Sequence, residues 1–147
     1  MLSSFIKKLM FARQFFMIDG KIEILGKRQV LLPADVVQEL QKTAKVDTIK
    51  NLVKKNIEEY GKKLGAGEEG LLKNISDIFE TYGMGKLEVV TLDNANKKCI
   101  VRVHNVPEGD FILLELLLSG VFSFLFKKEV KTEKGKGNAQ SIEYVVK

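Results

Sequence analysis

The longest apolar run of the chain lies near its C-terminus, at residues 111–126, with the sequence FILLELLLSGVFSFLF. Its polar residues Glu115, Ser119 and Ser123 recur four residues apart, so they share one narrow stripe of a helix. A helix that is apolar around the rest of its surface has to be buried on most sides. At a length of about 24 Å it is short for a membrane span. The pattern predicts a central buried helix and no integral membrane segment.

Two other parts of the chain have the pattern of short β-strands. In them apolar and polar residues alternate, or turn residues separate short apolar runs. FFMI and KIEIL flank Asp19-Gly20, a pair suited to a two-residue hairpin turn in which both residues have positive φ. A break at Gly26-Lys27 leads to residues 29–32. In the second half we expect strands at residues 86–92, 99–105, 128–133 and 141–146, the first two joined by a turn at 93–96 and the last two by a loop at 134–138.

Helical spacing of apolar residues predicts three helices between these strand regions. Pro33 suits a first helical turn and opens a helix to about Thr43. Asp47 or Thr48 can cap the next helix, which ends at Gly65-Ala66-Gly67. A third helix runs from Glu68 to Tyr82, and Asp110 is a candidate cap for the apolar helix.

Length and element order indicate one α+β domain over residues 1–147, in which a mainly antiparallel sheet packs against helices. An N-terminal part with the hairpin and helices covers 1–82, and a second part covers 83–147. Residues 1–18 are moderately apolar but interrupted by Lys7, Lys8 and Arg13. We interpret them as an amphipathic lead-in to the domain, with neither a span nor a secretory signal.

The charge and cysteine content limit the classes of function. The net charge is +5, but lysines alternate with glutamates at helical spacing and arginine is scarce, which is typical of solvated, ion-paired helix faces and argues against nucleic-acid binding. The single Cys99 excludes an intramolecular disulfide and favours a reducing, cytoplasmic location. We expect it to be a small buried apolar side chain, although a thiol facing a cavity could be acylated or oxidised.

No residue constellation indicates catalysis. His104 is the only histidine and stands at the end of a predicted strand, without partners at the spacing of a metal site or a triad. Gly83-Met84-Gly85 follows a helix and opens a strand, which favours a helix C-cap over a phosphate-binding loop. Gly135-Lys136-Gly137 lacks the downstream helix of a phosphate-binding loop, so we expect it to form a mobile hairpin tip. We therefore predict no enzyme activity and no cofactor.

The small residues Ser119, Gly120 and Ser123 let another group approach the apolar helix closely. One interpretation is tight packing of this helix on the sheet, or on its copy in a dimer. The other is that the helix roofs an apolar cavity walled by the helix that precedes residue 83, as small hydrophobic ligands require. The candidate ligand-binding residues are then Phe79, Tyr82, Phe111, Leu118, Ser119 and Phe122.

Residues 85–105 (GKLEVVTLDNANKKCIVRVHN), 119–133 (SGVFSFLFKKEVKTE) and 141–147 (SIEYVVK) together resemble the 4-vinyl-reductase domain, a hydrocarbon-binding domain of archaea and bacteria. Gly120 and KKEVKTE are the nearest matches, and residues 24–40 and the two predicted helices after them extend the resemblance with less specific motifs. The resemblance implies an antiparallel sheet backed by helices, a shape related to vesicle-tethering complex subunits, a homodimer, and binding or sensing of a small molecule.

The chain departs from this family at the positions of its cysteines. Members often carry cysteines near the start of the last helix and in the final hairpin, where this chain has Phe111 and residues 135–142. We therefore predict no metal. The main hypothesis is a non-catalytic module that binds a hydrophobic or acyl-like molecule. The alternative is a scaffold without a ligand, in which Phe5, Ile6, Leu9, Phe15 and Phe16 form a dimer interface or dock on a larger partner.

Overall fold

Five helices and two antiparallel sheets form a mixed α+β fold in the computed structural model, which describes residues 4–64, 68–109, 111–138 and 140–147. This confirms the predicted fold class. In chain order the elements are α1 (Ser4–Phe11), β1 (Phe15–Ile18), β2 (Lys21–Ile24), β3 (Lys27–Gln29), α2 (Ala34–Gln41), α3 (Val46–Leu64), α4 (Glu68–Thr81), β4 (Lys86–Asp93), β5 (Lys98–His104), α5 (Ile112–Phe126), β6 (Thr132–Gly137) and β7 (Ser141–Val146).

The N-terminal sheet has the order β1-β2-β3 and is made by two tight turns. Asp19 and Gly20 have φ of 49° and 71°, which confirms the predicted hairpin and its turn. The second turn is formed by Leu25 and Gly26, also with positive φ, one residue earlier than the predicted break. The strand after it is therefore β3, and residues 30–32 lie beyond it with their side chains exposed.

The second sheet has the order β4-β5-β7-β6. Along β5, Cys99, Val101 and Val103 are buried while the residues between them are partly exposed, which is the period-two pattern of a sheet with one face on the core. The side chain of Asp93 accepts a hydrogen bond from the backbone N–H of Asn96, so the predicted turn joins β4 to β5.

The last hairpin differs from the prediction. Residues 128–131 form a connection, and β6 continues through residues 134–137, which the sequence placed in a loop. Both glycines of this segment lie against the backbone of β7: a Cβ on Gly137 would be 2.8 Å from the carbonyl oxygen of Ser141. The glycines of the predicted mobile tip thus permit close strand pairing at a β-bulge.

The helix boundaries match the prediction to within a few residues. Pro33 is the N-cap of α2. Because α3 begins at Val46, Asp47 and Thr48 lie in its first turn and do not cap it. Gly83, with φ of 71°, follows α4, and the N–H of Met84 donates to the carbonyl oxygen of Phe79, as expected of a glycine C-cap. The predicted stop at 65–67 and the predicted cap Asp110 lie outside the described residues.

Helix α5 is the centre of the molecule, as predicted. It packs along α3 and against strands β6 and β7 of the second sheet, and most of its side chains are buried. Helix α4 packs against β4, and α1 covers the start of the N-terminal sheet with Phe5 and Leu9 buried. Among the described residues there is no helix with the length and hydrophobicity needed to cross a membrane.

Candidate functional site

The serine stripe of α5 faces the beginning of β6. The Oγ of Ser119 donates a hydrogen bond of 2.9 Å to Oγ1 of Thr132, and both side chains are buried. The Oγ of Ser123 accepts a 3.1 Å hydrogen bond from the N–H of Val130. Buried hydroxyl groups need such partners. The two serines therefore fasten the apolar helix to the start of β6 and to the connection that precedes it.

Gly120, the other small residue of this part of α5, faces a different element. A Cβ at this position would lie 2.6 Å from Cγ1 of Val53 and 3.3 Å from the backbone nitrogen of Lys54, both in α3. Gly120 is thus the point at which the two helices come close together. The small residues of α5 serve two separate contacts within the chain.

The structure places the candidate ligand-binding residues in or beside one hydrophobic core. Phe79, Phe111, Leu118 and Phe122 are buried members of this core, and Tyr82 packs against it. The ring of Phe122 lies 5.6 Å from that of Phe126, measured between centroids. The helix packed along α5 is α3, whereas Phe79 lies on α4 against the second sheet.

Two tyrosine hydroxyl groups meet at the edge of this core. The hydroxyl oxygens of Tyr60 in α3 and Tyr82 after α4 are 2.8 Å apart, and Nε2 of Gln29 in β3 lies 3.4 Å from the Tyr60 oxygen. Tyr60 is buried and Tyr82 is partly buried. Burial, followed by the contact with Tyr60, raises the pKa of Tyr82 far above its ordinary value. The hydroxyl of Tyr82 therefore stays neutral.

This pair retains a hydrogen-bond donor. Each tyrosine hydroxyl has one hydrogen, and the bond between the two groups uses only one of the two hydrogens. Gln29 donates its own hydrogen to the pair. Within the described part of the chain, the second hydroxyl hydrogen is therefore available to an acceptor such as a ligand oxygen.

Sequence reasoning identified Tyr82 but not Tyr60 or Gln29. Tyr60 follows the helical spacing of the apolar residues of α3, and its side chain is buried. A tyrosine among the inward-facing residues of a helix could have indicated a site, because its buried hydroxyl group needs a hydrogen-bond partner. Gln29, which comes from a distant strand, gave no local signal.

Elsewhere in the described chain, ionisable side chains form pairs at the surface, and one thiol is buried. The Nε2 of His104 lies 2.7 Å from a carboxylate oxygen of Glu88 across β4 and β5, and this bond, with help from Arg102, lowers the pKa of Glu88. Burial raises the pKa of Cys99 to about 12. Residues 4–64, 68–109, 111–138 and 140–147 contain no group of three or more His, Cys, Asp and Glu side chains placed to hold a metal ion.

Comparison with known proteins relates this fold to a ligand-responsive domain. The chain matches no family model and no curated protein sequence. Among solved structures, the phenol-responsive sensory domain of the transcription activator PoxR, crystallised with phenol, aligns with a TM-score of 0.62 and 15% identity over 99% of this chain and 91% of that domain.

A second structure is a trafficking protein particle complex subunit 3 from Naegleria fowleri, covalently bound to palmitic acid. It aligns with a TM-score of 0.41 and 16% identity over 78% of this chain and 89% of that one. The first of the two alignments shows that the chain shares the fold of the PoxR sensory domain over almost its whole length. Membership of the 4-vinyl-reductase family stays a prediction.

Proposed function

We propose that this protein is a non-catalytic module that binds or senses a small hydrophobic molecule next to α5. The observation that supports this most strongly is the likeness of almost the entire chain to a phenol-responsive sensory domain. A second support is the uncharged character of the core around α5, since ligand sites for small molecules combine apolar walls with few polar groups.

The proposed ligand-binding residues make two kinds of contact with the ligand. Apolar contacts come from the rings and aliphatic side chains of the core, and a polar contact comes from the hydroxyl pair Tyr60–Tyr82, which donates a hydrogen bond to a ligand oxygen. The residues proposed from the sequence are Phe79, Tyr82, Phe111, Leu118, Ser119 and Phe122, and the geometry adds Tyr60.

Titration calorimetry with phenol and with toluene, accompanied by native mass spectrometry of the purified protein, tests this proposal. Both probes have one aromatic ring, but only phenol carries an oxygen. We expect saturable binding of both probes, or a bound apolar molecule that was carried through purification. A protein that binds neither probe and carries no adduct would refute the proposed function.

A double variant, Tyr60→Phe with Tyr82→Phe, tests the polar contact separately. Removing both hydroxyls while keeping both rings should weaken phenol binding about 3- to 10-fold, the effect of one lost hydrogen bond, and leave toluene binding unchanged. Tyr144→Phe removes the remaining tyrosine hydroxyl of the chain and is the matched control. Equal phenol affinity in the double variant would reject the tyrosine contact but not the ligand-binding function.

The second candidate function is a scaffold without a ligand. It is favoured by the contacts of Ser119, Gly120 and Ser123, which are made with β6, α3 and the α5–β6 connection of the same chain. The two-probe titration distinguishes the candidates, because a filled core takes up neither phenol nor toluene. In either case we propose that the protein acts in the cytoplasm, as its single cysteine suggests, and that it forms a homodimer, as the family resemblance implies.

A further inference from the structure

The residues of the N-terminal segment that stay exposed are not those expected from the sequence. Of the residues suggested as an interface, Phe5 and Leu9 are buried and Phe15 packs against the core. In the same helix α1, Phe11 is 94% exposed and Met10 49%. Phe11 is the most exposed large hydrophobic residue of the described chain. The outward side of α1 therefore carries apolar surface that the core does not use.

Basic side chains lie beside this exposed apolar surface. Lys7 and Lys8 stand four and three residues before Phe11, so both are its neighbours on the helix surface. Arg13 follows in the turn that closes the helix, and all three basic side chains are exposed. We refer to Lys7, Lys8, Met10, Phe11 and Arg13 as the basic face of α1.

The positive charge of the basic face is not balanced by carboxylates. Residues 4–18 include three basic side chains and no acidic one. Within the described part of the chain, no ion pair joins any of these three side chains to a carboxylate. By contrast, the exposed Lys42 and Lys62 pair with Glu39 and Glu58. The basic face therefore attracts an anionic partner without competition from an acidic neighbour in its own segment.

A second exposed apolar segment of the chain has the opposite charge. In residues 30–40, Val30 is 77% exposed and Leu31 83%, and the charged residues are Asp35 and Glu39. Apolar surface is thus accompanied by positive charge in α1 and by negative charge in residues 30–40. Of the two segments, the basic face is the one that an anionic partner fits.

The partner that combines negative charge with an apolar layer beneath it is an anionic lipid bilayer. Peripheral proteins place apolar side chains at the boundary between headgroups and acyl chains, while basic side chains meet the lipid phosphates. Lysine suits this arrangement because its aliphatic stem lies along apolar surface and its ammonium group stays at the polar level. Duplex nucleic acid offers phosphates but no apolar layer for Phe11 and Met10.

We propose that the basic face of α1 docks this protein reversibly on an anionic membrane surface. Phe11 and Met10 enter the headgroup boundary, and Lys7, Lys8 and Arg13 lie against lipid phosphates. The opposite side of α1 keeps its place in the core, so the contact is peripheral and needs no unfolding of the helix. Docking does not depend on whether a ligand binds next to α5.

Vesicle co-sedimentation with the full, untagged chain tests this proposal. The probes are vesicles of phosphatidylcholine alone and vesicles of equal parts phosphatidylcholine and phosphatidylglycerol. We expect binding to the anionic vesicles at low salt and much weaker binding to the neutral ones. Binding should fall steeply in about 1 M NaCl, where charges are screened beyond about 3 Å.

A triple variant, Lys7→Gln with Lys8→Gln and Arg13→Gln, tests the charges. Each basic residue near an anionic membrane strengthens binding about 5-fold, so the triple variant should bind about 100-fold more weakly. The matched control removes three exposed lysines from α2, its C-cap and α3, with the same loss of net charge, and should retain most of the binding. Its substitutions are Lys42→Gln, Lys55→Gln and Lys62→Gln.

A single variant, Phe11→Ser, tests the apolar contact. Loss of a ring that enters the headgroup boundary should weaken binding about 10-fold. Leu31→Ser removes another highly exposed apolar side chain, from the segment with the opposite charge, and should leave binding unchanged. Since all the substituted side chains are exposed, circular dichroism should report the unmodified fold in each variant.

Four outcomes would overturn the proposal. They are absence of binding to anionic vesicles, equal losses in the two triple variants, unchanged binding of Phe11→Ser, and binding of duplex DNA as tight as that of the anionic vesicles. Uptake of phenol and toluene is measured in the same samples, so failure of membrane docking and failure of ligand binding are distinguishable.

Discussion

Gly120 occupies the closest approach between α5 and α3, and its replacement tests how rigid that contact is. In Gly120→Ala, the new methyl group would lie 2.6 Å from Cγ1 of Val53, a β-branched side chain with little rotamer freedom. Overpacking of this kind costs roughly 1–3 kcal/mol, more than the helix propensity gained from alanine. We expect a lower free energy of unfolding in urea titrations.

Two further variants show whether the loss of stability comes from the contact between Gly120 and Val53. Gly70→Ala, at an exposed glycine inside α4, should raise the free energy of unfolding by up to about 1 kcal/mol because only helix propensity changes. Combining Gly120→Ala with Val53→Ala removes the clash and should recover part of the loss, apart from the cost of the smaller side chain. A Gly120→Ala variant as stable as the unmodified protein would show that α3 gives way readily.

Cys99 should be chemically inert in the folded protein. Its thiol is 2% exposed in β5, and burial raises its pKa to about 12, so almost no thiolate exists at neutral pH. Iodoacetamide should therefore label the native protein very slowly at pH 8 and label it fully in denaturant. Mass spectrometry counts one adduct, since this is the single cysteine of the chain. Labelling as fast as that of free glutathione would contradict the burial.

At the scale of elements, an ion-pair cluster connects α3 to the segment between α5 and β6. The carboxylate oxygens of Glu129 lie 2.8 Å from Nζ of Lys50 and 2.5 Å from Nζ of Lys54. Hydrogen bonds from these two ammonium groups lower the pKa of Glu129 to about 2 from the ordinary 4.5. The cluster holds the end of the central helix beside the helix on which it packs.

The lowered pKa gives this cluster a defined dependence on pH. A carboxylate with a lower pKa in the folded state stabilises the fold above pH 4.5 and loses that contribution as the pH falls towards 2. Glu129→Gln should therefore lower stability at pH 7 and reduce the loss of stability between pH 4.5 and 2. The effect should be modest and weakened by salt, because Glu129 is exposed.

Urea titrations at a series of pH values measure this difference, with Glu133→Gln as the control for removal of another exposed carboxylate on the neighbouring strand. If Glu129→Gln and the control had the same pH profile as the unmodified protein, the cluster would not couple α3 to the α5–β6 connection.

The two sheets differ in how they are completed. Strand β5 pairs on both sides within the chain, and its inward side chains are buried in the hydrophobic core, so the second sheet needs no further strand at its centre. The N-terminal sheet has only three short strands and one uncharged edge, and small sheets of this kind need support from another layer or another chain. The N-terminal sheet takes this support from α1, which packs against β1.

At the scale of the whole molecule, a shared fold does not by itself establish a shared function. The resemblance in backbone path to a phenol-responsive domain covers nearly all of the chain, but 15% identity leaves the side chains that would contact a ligand free to differ. The test of function consequently depends on this chain's own residues. Phenol binding depends on both the Tyr60–Tyr82 pair and the apolar wall of α5, whereas toluene binding depends on the apolar wall alone. Comparing the two affinities therefore separates the polar contribution from the apolar one.

The sequence alone determined the features that depend on neighbouring residues along the chain. The mostly apolar run 111–126 predicted the buried helix, Asp19-Gly20 predicted the hairpin, and Gly83 predicted the helix end, because periodicity and positive φ act within a few residues. The α+β class followed from the order of these elements.

Only the tertiary structure decided which of these elements touch. It assigned Gly120 to α3 but Ser119 to Thr132, drew the glycines of 134–137 into strand β6, and brought Tyr60, Tyr82 and Gln29 together from three elements. It also buried Phe5 and exposed Phe11, although both are phenylalanines of one short helix. Each of these outcomes depends on packing between segments far apart in the chain, and local propensity carries no information about such contacts.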